Sequence, residues 1–262
     1  MKKYSFNLGT TTLEIITPSI IKESDLDVIF KLIQFIRYDF NHIIHNSSAY
    51  RLNSAGINVP VLVTPEFKHY LKTNIFECDK SDQKFLPFYK KHGKIEKDSM
   101  INVLKIEENI VKKESDILFK SNLILQPYLI DLIFEKVKTL KIKSFLLSTK
   151  NYHRCFGSEI WDVSLEIEPQ NNYTTKICNA AIGIHFIATN EEEDNKNFFA
   201  NSDSFVNPLY AIMPSKTCID SKISSLIIKT LRTESALKRF AKETKQSFIL
   251  VDEDLKTTEF KS

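Results

Sequence analysis

The sequence predicts an α+β fold, a mostly antiparallel sheet flanked by two long helices, and three observations carry that expectation. Trp161 to Glu168 alternates apolar and polar residues with period two, as a half-buried strand does. Two long runs, near 24–45 and 221–246, instead set their apolar residues at helical spacing. Glycine is scarce, at 5 residues, so the glycine-rich phosphate cradles of parallel nucleotide-binding sheets are absent.

The elements follow in order. Residues 3–8 and 11–16 flank Leu8-Gly9-Thr10 as a hairpin. Ser24 caps the first long helix, with Asp25 and Asp27 in its first turn and Leu26, Ile29, Phe30, Ile33 and Phe40 on an apolar stripe. Val59 to Val63 is a strand, and Thr64-Pro65-Glu66 opens a helix that ends near Thr73. Phe85 to Tyr89 is an edge strand because Pro87 donates nothing to a ladder. Met100 to Ile106 and Ile117 to Leu125 are strand-like, Tyr128 to Leu140 is helical, and Ile142 to Leu147 is a strand.

The strand 161–168 buries Trp161, Leu165 and Ile167 and leaves Glu166 and Glu168 exposed. Ile177 to Thr189 is a long strand in which Gly183 marks a bulge or a close approach. After a loop over 190–207, Leu209 to Met213 is a strand, Ser221 to Gln246 the second long helix, and Phe248 to Val251 the closing strand.

A chain of 262 residues, 42% hydrophobic and 26% charged, has enough apolar material for a sizeable core. With no repeat or low-complexity linker it is expected as one domain over 1–262, its lobes, if it divides, being 1–150 and 151–262. The net charge of +3 argues against a general nucleic-acid or membrane-surface binder. Cys78, Cys155, Cys178 and Cys218 have no CxxC or metal-ligand spacing and read as free thiols of a reducing compartment, here the cytoplasm. No run approaches the roughly 18 apolar residues of a membrane span. No cofactor motif is present, and the expected cofactor set is none.

Candidate chemistry is sparse. Asp162, Glu166 and Glu168 share a strand face and are the residues that would hold a divalent metal, although a solvated face produces the same pattern. His42 and His45 are spaced to face one ion but lack a third ligand. Cys155 neighbours His153 and Arg154 without an orienting acid. Lys222, Lys229, Arg232 and Arg239 fall on one side of the second long helix, a stripe suited to phosphates or to water. The most concentrated charge is Glu191-Glu192-Glu193-Asp194, followed by Phe198, Phe199 and Phe205. Carboxylates beside apolar anchors are the ingredients of a protein-binding surface.

Between Pro60 and Ser148 the ordered fragments VLVTPEFKHYL (61–71), KFLPFY (84–89), MINVLKIEENIVKKESD (100–116), LIFEKVK (132–138) and SFLLSTK (144–150) resemble a family of bacterial immunity proteins encoded beside polymorphic toxins. The resemblance implies a non-enzymatic inhibitor that occludes a cognate toxin or effector, with no catalytic residue to carry over. Two other readings stand beside it: a metal-dependent nuclease using Asp162, Glu166 and Glu168 with the basic stripe on phosphates, and a secreted effector or anti-defence protein. A protein partner is expected, nucleic acid is not favoured, and no membrane is implied.

Overall fold

The computed structural model describes residues 1–262 apart from 10, 83–84, 91–102, 121–123, 169–170, 188–208, 232 and 253, and apart from the side chains of Lys90, Glu168 and Asn171. In chain order the described elements are β1 (Lys2–Asn7), β2 (Thr12–Thr17), α1 (Glu23–Asp39), α2 (Ser48–Ser54), β3 (Val61–Leu62), α3 (Pro65–Lys80) and β4 (Phe88–Lys90). There follow β5 (Leu104–Glu107), β6 (Ile110–Lys113), β7 (Ile117–Phe119), α4 (Leu125–Thr139), β8 (Phe145–Ser148), β9 (Tyr152–Phe156) and β10 (Trp161–Glu168). The last are β11 (Asn171–Ile177), β12 (Ala181–Phe186), β13 (Tyr210–Ser215), α5 (Cys218–Ile228), α6 (Glu234–Thr244), β14 (Phe248–Val251) and β15 (Thr257–Phe260). The fold is α+β with a large antiparallel sheet, and no helix among the described residues is long and apolar enough to cross a membrane.

The chain divides into two compact units, Met1–Ile29 with Pro127–Ser262, and Phe30–Gln126. In the first, eight strands form one sheet in the order β1-β2-β8-β9-β12-β13-β14-β15, with every neighbouring pair antiparallel. The alternation of side chains divides its core by face. On β13, Ile212 joins Ile182, Ile184 and Leu146 beneath the hairpin β10–β11, whose Trp161, Val163 and Leu165 fill that side. Ala211 and Met213 point the other way, toward Ile228 of α5 and Leu237 and Ala241 of α6. Hairpin, sheet and helices are thus three layers within this unit.

The second unit packs around rings. Phe40 stacks on Tyr70 at 4.9 Å and meets Phe67 edge-on at 5.2 Å, and Phe119 lies edge-on to both Phe67 and Tyr70. Edge-to-face and offset contacts of this kind add to what area burial supplies. Beside them the buried Asp39 accepts from Ser48 N at 2.9 Å and from the Thr64 hydroxyl at 2.6 Å, so one carboxylate ties the starts of α2 and α3. Two small antiparallel sheets, β3-β6-β5 and β4-β7, complete this unit.

Several local expectations differ from the structure: the first long helix ends at Asp39 and not near 45, α3 continues past Thr73 to Lys80, and Ile117 to Leu125 is strand only as far as Phe119. Ile177 to Thr189 is not one strand: Asn179 adopts a left-handed φ of 45° that turns the chain between β11 and β12, and β11 pairs with β10 instead of extending the sheet. The run 221–246 is two helices, because Thr233 caps a new start by accepting from Ala236 N, with Glu234 in the first turn. The strands β9 and β15 are further additions, and they complete the large sheet inside and at its edge.

Candidate functional site

The nominated residues scatter. Glu191, Glu192, Glu193, Asp194, Phe198, Phe199 and Phe205 lie outside the described residues. Of the nominated carboxylates, the Glu168 side chain lies outside the described residues, and Asp162 and Glu166, on the outward face of β10 as expected, are four residues and about 13 Å apart along an extended strand, too far for those two to share an ion. Each has a lysine instead: Asp162 lies 3.8 Å from Lys176, and Glu166 lies 3.2 Å from Lys150. No group of three or more metal-ligating side chains converges among the described residues. His45 turns to the Tyr50 hydroxyl at 3.0 Å. The four basic residues form no single stripe, since Lys222 and Lys229 belong to α5 and its C-cap, Arg239 belongs to α6 beside Glu243, and Arg232 is outside the described residues.

Residues 153–155 separate by strand alternation. His153 and Cys155 face the hairpin, where burial raises the Cys155 thiol pKa and keeps it protonated. Arg154 faces the helices. Its Nη1 donates to Asp131 at 2.6 Å, its Nη2 reaches Glu135 at 3.4 Å, and its guanidinium lies 3.6 Å from the Phe134 ring centroid.

Asp131 is the hub of that side. Besides Arg154 it accepts from Cys218 N at 3.0 Å and Ile219 N at 2.9 Å, the first amides of α5. Burial pushes its carboxyl up from the ordinary carboxylate range, against the downward pull of Arg154 and the two amides. The positive end of the α5 dipole, where an anion is favoured, is therefore already filled by a side chain of the protein.

One turn along α5, Ser221 Oγ lies 2.9 Å from His185 Nε2, and both side chains are buried. Desolvation, with Lys222 nearby, holds the His185 pKa well below its usual value. The partly buried Lys222 is lowered to about 8 by desolvation first and Lys229 second. Gly183 makes room for the pair: a Cβ there would meet Ser221 Oγ at 2.6 Å and His185 Nε2 at 2.8 Å. That settles the sequence alternatives in favour of close approach. The hydroxyl and imidazole have the spacing of a nucleophile and base, but burial on both sides makes them a packed polar contact.

The hairpin face carries a cleft. It is an open hollow of about 440 Å³ between the β1–β2 turn, the β8–β9 turn and the β10–β11 hairpin. Thr11, Thr12 and Glu14 form one wall, Ser148, Thr149, Lys150 and His153 the second, and Ser164, Glu166 and Asn172 the third. Among the described residues, no aromatic ring other than the imidazole and no aliphatic side chain lines it. Among the described residues, Glu166 and His153 are the ones weighed from the sequence that belong to it. The other lining residues were unmarked because they come from separate strands, whereas His153, a lone histidine in an apolar strand, gave a local signal.

No protein-family model matches this chain, and no curated protein matches it by sequence. Solved structures do match. A flavinyl transferase ApbE from Pseudomonas stutzeri is 13% identical with a TM-score of 0.72, over 99% of this chain and 94% of that one. Flavin transferase ApbE from Vibrio cholerae is 13% identical with a TM-score of 0.74, over 100% and 96%. The ApbE protein of Thermotoga maritima is 11% identical with a TM-score of 0.74, over 99% and 97%. At these identities the likeness establishes the fold.

The same finding overturns the immunity-protein reading and its toxin or effector partner, because the chain follows flavin transferases from end to end. The fragments that carried that resemblance are short strand and helix pieces, β3 with α3, part of α4, and β8, that serve this fold equally well. The nuclease and secreted-effector readings fall with it.

Proposed function

We propose that this chain transfers a flavin, as the flavin transferases sharing its fold are named for doing, and that the acceptor is a protein. The observation that carries the reading is correspondence over 99–100% of this chain and 94–97% of three ApbE structures, two of them named as flavin transferases, at TM-scores of 0.72–0.74. A shared motif is not part of the support.

The described residues fit a flavin only in part. The three-ring isoalloxazine calls for apolar or aromatic walls, and the cleft has hydroxyl, amide and charged ones. The start of α5 is filled by Asp131 and so offers no place for a phosphate. We therefore assign no transfer step to these side chains. Four free thiols, one of them the exposed Cys178, support a place in the cytoplasm.

The test is transfer itself. The chain is incubated with flavin adenine dinucleotide and an extract of cells that encode it, and the mixture is denatured and run on a gel read by flavin fluorescence. A fluorescent acceptor band that depends on the chain is expected. Flavin that leaves every protein on denaturation contradicts transfer.

A further inference from the structure

We draw no further inference here: the strongest candidate, the exposed apolar face of the β3–β6 pair where Leu62 and Ile110 sit opposite each other, carries nothing, because nothing among the described residues shows what covers it.

Discussion

Asp131 is a lone carboxylate in the apolar helix run Tyr-Leu-Ile-Asp-Leu-Ile-Phe, and such a residue needs a partner that its own helix does not supply. Arg154 and the first amides of α5 are that partner. Asp131→Ala leaves two amides unmatched and a buried guanidinium with only its longer contact to Glu135, and should cost about 3–5 kcal/mol in urea unfolding. A loss under about 1 kcal/mol contradicts the anchor. Lys222 makes a pH-dependent prediction. Its pKa is lowered in the folded state, to about 8 from 10.5, so between those values the unfolded chain binds more protons and its contribution to stability rises with pH. Below about 8 the cost of the desolvated ammonium is fully present. Lys222→Met should therefore stabilise the protein at pH 7 by about 2 kcal/mol, and flatten that rise. A variant no more stable than the parent at pH 7, with the same pH profile, contradicts the desolvation.

At the scale of elements, the hairpin β10–β11 is held by one face alone. Leu165 is fully buried in the cluster with Ile182, Ile184 and Ile212, whereas the next residue, Glu166, faces Lys150. Leu165→Ala should cost about 3 kcal/mol, and Glu166→Ala within about 0.5 kcal/mol of nothing, by thermal or urea unfolding. Comparable losses in the two would mean that the hairpin is packed otherwise. This strand was legible in the sequence because its alternation is local. So were the α3 cap at Thr64 and the strand β14, although β15 and not β14 closes the sheet. The register of β9 within the sheet was not, since Tyr-His-Arg-Cys-Phe is buried on both faces and has no period to read. The division of 221–246 was signalled by Thr233 and Glu234, a cap and first-turn acid inside an otherwise helical pattern.

At the scale of the molecule, both sheet edges come from near the chain's ends, β1 at one side and β15 at the other, and the strands between are drawn from residues more than a hundred positions apart. β2 pairs with β8 through Glu14 and Ser148, and those two residues line the same cleft. A site assembled across such separations leaves no motif in the sequence, and short apolar fragments such as those between Pro60 and Ser148 can then point to the wrong family. Topology carries what the motifs do not, and it is the topology of flavin transferases. The measurement that tests this most directly is a fluorescence titration of flavin adenine dinucleotide with the purified full chain. The account predicts saturable quenching or enhancement of flavin emission at a one-to-one ratio, competed by flavin mononucleotide. Emission that stays linear in added protein, with free flavin recovered on gel filtration, would contradict it.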